Sequence, residues 1–100
     1  MTRDVFKAIA DPIRRDMIGL LSTKPYNIND LSGNFKMTRT GVSKHLKILR
    51  ECGLVEIEQK GRERYCKAKL ESLAEVSAWV NQYRSFWNEK LDNLENLLKG

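Results

Sequence analysis

The chain has one hundred residues, with eighteen Lys and Arg against thirteen Asp and Glu, a formal charge of +5, 41% apolar residues and 31% charged ones. That is one domain's worth of chain with the composition of a globular protein, which rules out a large enzyme with a dedicated substrate domain. No apolar run approaches the ~18 residues that a membrane span needs.

The start, Met1-Thr2-Arg3-Asp4, leads into no apolar stretch, so no signal peptide is expected. Cys52 and Cys66 have no CxxC spacing and make no disulfide framework. A reduced, cytoplasmic protein is therefore expected. Val5, Phe6, Ile9 and Ala10 predict a short helix over residues 3–10. Asp11-Pro12 restarts the chain as an N-cap and a first helical residue. Ile13, Met17, Leu20 and Leu21 then repeat at helical spacing until Ser22 to Pro25. Asn27 can cap a third, short helix whose apolar side is Ile28, Leu31 and Phe35, with Gly33-Asn34 weakening its end.

Thr38 can cap a fourth helix, over about 38–52, in which Val42, Leu46 and Leu49 recur in a 4, 3 rhythm. Gly53 is a good left-handed stop for it. The period then changes. Leu54 to Gln59 alternates and is rich in strand formers, Lys60-Gly61-Arg62-Glu63 is a turn, and Arg64 to Leu70 reads as the return strand. Cys66, Ala68 and Leu70 would share one face of that strand, and Tyr65, Lys67 and Lys69 the other. Last comes a helix over about 71–98, carrying Leu73, Val76, Val80, Tyr83, Trp87, Leu91, Leu94 and Leu98, widened by Trp79, Phe86 and Leu97.

The charge is not spread evenly. Residues 36–69 hold ten basic and four acidic side chains, a net +6, whereas the other residues sum to −1. Such clustering marks a surface for a polyanion, although a solvated basic face is an equally plain reading of charge alone. The decision between the two must come from motifs. Four helices, a small hairpin and a final helix (ααααββα, mainly α) form the order of a winged helix-turn-helix domain, one domain over residues 1–100.

A helix fits the major groove with its N-terminal residues against base edges. Arg39 and Lys44 can serve guanine O6 and N7, Thr40 and Ser43 can bond bases or phosphates, and Gly41 lets the backbone approach. Thr38 and Lys47 complete that face. Lys60, Arg62 and Arg64 on the hairpin, over about 54–70, would follow the DNA backbone and supply affinity more than sequence. With about six to ten phosphates contacted, binding would fall by about 10³–10⁵ between 50 and 200 mM salt.

The motifs themselves carry a resemblance. Asp11-Pro12-Ile13-Arg14-Arg15-Asp16-Met17-Ile18 resembles the DPxRRxxI opening of ArsR-type winged-helix repressors. The run from Thr38 to Val55, with Ser43-Lys44-His45-Leu46 and Gly53-Leu54-Val55, resembles that family's SxHLxxLxxxGLV recognition helix and exit turn. Gly61-Arg62-Glu63-Arg64-Tyr65 looks like its wing. The match covers nearly the whole chain in order. It implies a homodimeric bacterial repressor whose first and last helices pair across a two-fold axis, each protomer placing residues 38–47 in one half-site. Val5, Phe6, Ile9, Trp79, Tyr83, Phe86, Trp87, Leu91 and Leu94 are the expected interface, and a long aromatic-rich terminal helix suits that role better than a ligand pocket.

Metal-sensing members of the family carry Cys-x-Cys in the third helix or Asp/His pairs in the last. Here Asn27 to Phe35 contains no thiol and the last helix no His, so the resemblance is to a metal-site-free branch. No cofactor is expected, and no residue specifies a small-molecule effector. His45 lacks the partner base or nucleophile that catalysis would need, so a structural or positioning role is expected and no enzyme. Cys52 and Cys66 read as core residues rather than a redox switch. Arg14 and Arg15 could reach phosphates, lie solvated or pair with Asp11 or Asp16. The reading is a dimeric, sequence-specific repressor of double-stranded DNA on an inverted repeat. The alternative is a winged helix used as a protein-interaction scaffold.

Overall fold

The computed structural model describes residues 4–99. Side chains start the first four helices, each accepting a backbone N–H that the helix itself cannot satisfy. Asp4 accepts from Phe6 at 2.9 Å to begin α1 (Val5–Ala10). Asp11 accepts from Arg14 at 3.0 Å to begin α2 (Pro12–Leu21), with Pro12 in the first turn. Asn27 accepts from Asp30 at 2.8 Å to begin α3 (Ile28–Ser32), and Thr38 accepts from Gly41 at 3.0 Å to begin α4 (Arg39–Glu51). The expected helix over 3–10 is thus α1. Its residue 3, like Met1 and Thr2 of the leader reading, lies outside the described residues.

α4 ends on a paired stop. Gly53 N–H donates to the Arg50 carbonyl at 3.0 Å and Leu54 N–H to the Leu49 carbonyl at 2.9 Å, with Gly53 at φ +73°. A Cβ there would also stand 3.0 Å from Ser72 Oγ. Gly53→Ala is expected to lower stability by about 1–2 kcal/mol, from left-handed strain alone. A lower urea midpoint with an unchanged m-value would register it.

The hairpin is β2 (Val55–Lys60) and β3 (Glu63–Ala68), in register from Val55↔Ala68 to Lys60↔Glu63. Gly61, at φ +63°, is the first of the two turn residues, where a tight hairpin requires a left-handed conformation. Three expectations need correction here. The sheet has three strands, because β1 (Tyr26–Asn27) pairs with β3 through Tyr26↔Cys66 and Asn27↔Tyr65. A two-residue strand carries no periodicity, so nothing local announces it. Leu70 is not in the return strand: Lys69 N–H donates to the Leu54 carbonyl at 2.8 Å, closing the base of the hairpin, and Leu70–Leu73 then forms a 3₁₀ turn with Leu70 exposed. α3 stops at Ser32, and Phe35 reaches the core from the connection to α4.

The core lies between α1–α4 and the sheet. Met17, Leu31, Val42, Leu46, Leu49, Leu54 and Cys66 are at most 2% exposed. The 4, 3 rhythm of α4 is buried as the pattern predicts. α2 turns Met17, Ile18 and Leu21 inward, while Ile13 and Leu20 are only partly covered.

α5 (Ala74–Lys99) behaves differently, for none of its residues is buried. Leu73 before it and Val76 in its first turn pack on the core, and Trp79 meets Phe6 of α1 edge to face at 5.9 Å. Beyond that the helix projects, stretching the molecule to 63 × 28 × 21 Å with a radius of gyration of 17.8 Å. A compact chain of this length would have about 13 Å. Among the described residues no helix is long and apolar enough to cross a membrane.

Candidate nucleic-acid interface

Because Val42, Leu46 and Leu49 anchor α4 to the core, its opposite side is fixed in the solvent. Thr38, Arg39, Thr40, Ser43, Lys44 and Lys47 are all exposed there. Gly41 is half-buried, and a Cβ on it would meet Met37 Cε at 3.2 Å and Thr38 Oγ1 at 3.4 Å. Its small size therefore also serves the cap and the packing of Met37, inside the molecule. Lys60, Arg62 and Arg64 are exposed on the hairpin. Lys60 leans over the Tyr65 ring at 5.9 Å. Tyr65 donates its hydroxyl to Glu63 at 2.8 Å, and that bond holds the phenol above its ordinary range.

Arg39, Lys44, Lys47, Arg62 and Arg64 make no ion pair among the described residues. Arg39, Arg62 and Arg64 line one cleft of about 140 Å³ with Asn27, Ile28, Asn29 and Glu63. A second groove runs between α4 and the sheet, lined by Ser43, Lys47 and Arg50 on one side and Ile57 and Arg64 on the other. α4 and the hairpin thus present one continuous basic surface. Asn27, Asn29 and Arg50 belong to it; the sequence offered Asn27 only as a helix cap and gave none of the three a DNA-binding role. Asn27 and Asn29 carry no charge, and only the β1–β3 pairing brings them to the hairpin.

Three residues from the two sequence motifs meet behind this surface. Arg14 of α2 donates from Nε to the Ala8 carbonyl at 2.6 Å and from Nη2 to the Lys7 carbonyl at 3.0 Å. Its Nη1 lies 3.4 Å from His45 Nδ1 of α4, and His45 Nδ1 lies 3.9 Å from Asp11 Oδ2. Arg15 donates from Nη1 to the Ile9 and Ala10 carbonyls at 2.7 and 3.2 Å. The two arginines therefore cap the C-terminal end of α1, whose last carbonyls have no helical partners. Among the described residues neither makes an ion pair with Asp16. His45 takes a positioning place, half-buried against α2.

The N–H bond from Arg14 holds the Asp11 carboxyl below its ordinary range, aided by the Arg14 guanidinium and opposed by burial. A lowered pKa in the folded state stabilises the fold above the unfolded value, about 3.9, and that stabilisation is lost as pH falls through the folded value. Asp11→Asn keeps a capping oxygen but removes the charge. Its stability deficit against the wild type, by chemical denaturation, is expected to be present at pH 6, to shrink as pH falls below about 4 and to vanish once pH is below the lowered folded value.

Among the nine residues expected at a dimer interface, Val5 is a correction: at 5% exposure it faces its own core and has almost no surface to offer. Phe6 and Ile9 are half-buried. Trp79, Tyr83, Phe86, Trp87, Leu91 and Leu94 are exposed along α5, the last four by more than half. They edge two open troughs along the helix, one lined by Trp79, Val80, Tyr83 and Trp87, the other by Phe86, Leu94 and Leu97. Cys66 is buried, and burial pushes its thiol up in pKa, away from reactivity. Cys52 is half-buried, its Sγ 3.7 Å from the Asp4 carbonyl. Among the described residues no three His, Cys, Asp or Glu side chains group as metal ligands would.

Comparison with known proteins gives concordant results. The sequence profile of the arsR family of bacterial regulatory proteins matches residues 11–56, which run from the Asp11 cap through α4 into β2. The transcriptional repressor SdpR of Bacillus subtilis is 30% identical over 77 residues, covering 77% of this chain and 86% of that protein. The HTH-type transcriptional regulator CmtR of Mycobacterium bovis is 42% identical over 64 residues, 62% of this chain and 53% of CmtR. The crystal structure of an ArsR family transcriptional regulator superposes with a TM-score of 0.72 at 32% identity, over 83% of this chain and 86% of that one. A homodimeric winged helix-turn-helix DNA-binding domain from Mycobacterium bovis, solved by NMR, superposes at 0.65 with 27% identity, over 81% and 75%.

Proposed function

The chain belongs to the arsR family of bacterial regulatory proteins, and from that premise we propose that it is a homodimeric transcriptional repressor that binds an inverted-repeat operator. The observation that carries the reading is the single basic surface formed by α4 and the hairpin, on which Arg39, Lys44, Lys47, Arg62 and Arg64 make no ion pair among the described residues. A duplex supplies those partners, and the released counterions drive association. α4 enters the major groove, with Lys44, Thr40 and Ser43 toward base edges, while Thr38, Lys47 and Lys60 contact the backbone. Repression follows from occupying promoter DNA.

The dimer joins α5 and α1 of two protomers. Phe6, Ile9, Trp79, Tyr83, Phe86, Trp87, Leu91 and Leu94 form a continuous apolar face of a size that monomers rarely leave in water. Two α4 helices held this way meet successive major grooves about 34 Å apart or a multiple of that.

Lys44→Ala tests the reading at one side chain. On the operator it is expected to lose about 1–3 kcal/mol and to relax preference at one base pair per half-site. On a mixed-sequence duplex the loss is expected to be much smaller. Fluorescence anisotropy titrations of both duplexes at several salt concentrations check it; equal losses on the two would remove Lys44 from base reading.

A further inference from the structure

We propose that the cleft between the start of α4 and the hairpin tip is a clamp for one DNA backbone phosphate, closed by Arg39, Arg62 and Arg64 with the side-chain amide of Asn27. It rests on the DNA-binding reading above and assigns Arg39 to the backbone rather than to a guanine.

The cleft is small, about 140 Å³, and three arginines line it. Arg39 comes from the first turn of α4, Arg62 from the hairpin turn and Arg64 from β3. The one carboxylate in the lining, Glu63, accepts the Tyr65 hydroxyl at 2.8 Å, and neither it nor any other described carboxylate pairs with these arginines. Three arginines against one carboxylate leave the cleft net positive, so a bound anion relieves the repulsion among the guanidiniums as well as filling the space. Guanidinium forks match phosphate oxygens in shape and bond them bidentately.

Asn27 adds a neutral donor. Its Oδ1 accepts from Asp30 N–H at 2.8 Å, which leaves the Nδ2 amide hydrogens to donate. Its place is fixed by backbone, because Asn27 pairs with Tyr65, next to Arg64, in the β1–β3 ladder. The third strand thus holds the floor of the cleft against the hairpin, and α4 supplies the wall. A phosphodiester seated here would lie between the helix in the major groove and the hairpin beside it, setting the depth at which α4 docks.

The test uses the full chain, a mixed-sequence duplex and the salt dependence of binding. Neutralising one phosphate contributes about 0.9 to the slope of log affinity against log salt. If three arginines share one phosphate, each of Arg39→Ala, Arg62→Ala and Arg64→Ala weakens binding by about tenfold but nearly keeps the slope, because the other two still neutralise it. The triple variant then loses about 0.9 of slope per protomer. A loss of about 0.9 in every single variant, and about 2.7 in the triple, means three separate phosphates and overturns the clamp. So does an Arg39→Ala variant whose preference among duplexes differing at single base pairs departs from that of the wild type. All three side chains are exposed, so circular dichroism of each variant is expected to match the wild type.

Inorganic phosphate, titrated into the DNA-free protein and followed at the arginine Nε–H resonances, separates the sources of the anion. Tight binding of inorganic phosphate, with duplex slopes and affinities unchanged in the variants, assigns the cleft to a free anion and overturns the proposal. A wild type that binds no duplex at low salt overturns the DNA-binding reading and the clamp together. A wild type that binds duplex without the one-phosphate slope pattern overturns the clamp alone.

Discussion

Leu91→Glu combined with Leu94→Glu is expected to convert the protein to a folded monomer and to lower operator affinity by about 10²–10⁴. The two side chains are exposed by 60% and 54% in the protomer, and no residue of α5 is buried there. The substitutions therefore remove nothing from the protomer's core. In the dimer they would put two pairs of carboxylates into an apolar seam, where charge burial without a partner is strongly unfavourable. Each half-site would then be met by a separate particle, and the second contact would lose its high effective concentration. Sedimentation velocity reports the mass, and a retained helical spectrum reports the fold. An unchanged dimer would move the interface off α5; a monomer with full affinity would break the link between assembly and DNA binding.

Arg14→Ala is expected to lower stability by about 2–4 kcal/mol, from the loss of charged hydrogen bonds and the carbonyls left behind. The side chain ties three helices: it starts from α2, holds the Lys7 and Ala8 carbonyls of α1, and stands against His45 of α4. In a domain of this size, that loss lowers the melting temperature by about 10–20 °C. Arg14→Lys is expected to recover little, because a single ammonium cannot reproduce the planar fork. Arg15→Ala should be milder, since Arg15 is exposed and makes no contact with α4. A melting curve of Arg14→Ala that overlays the wild type would show the three-helix tie to be unimportant.

Helix starts were legible because caps are local: Asp11, Asn27 and Thr38 each bond an N–H three residues on. The stop at Gly53 was legible for the same reason. The exposed face of α4 followed from periodicity, which sets Val42, Leu46 and Leu49 opposite Thr40, Ser43, Lys44 and Lys47. What depends on distant pairing was not legible. β1 is two residues long and finds its partner far along the chain, and with it Asn27 and Asn29 came to the basic cleft unforeseen. Arg14 and Arg15 were read against carboxylates and phosphates, whereas their partners are main-chain carbonyls, which leave no trace in side-chain pattern. Val5 fell on the expected interface stripe, yet Val5 and Ala8 are the residues that α1 turns into its own core, leaving Phe6 and Ile9 partly exposed.

Selection of bound sequences from a random duplex pool decides whether two copies of α4 read an inverted repeat. One enriched inverted repeat is expected, with half-site centres about 34 Å apart or a multiple of that along the axis. The recovered duplex should bind one dimer and lose affinity by about 10³–10⁵ between 50 and 200 mM salt. A pool with no enriched sequence even at low salt would contradict that reading, and would leave the basic surface to an acidic protein partner instead.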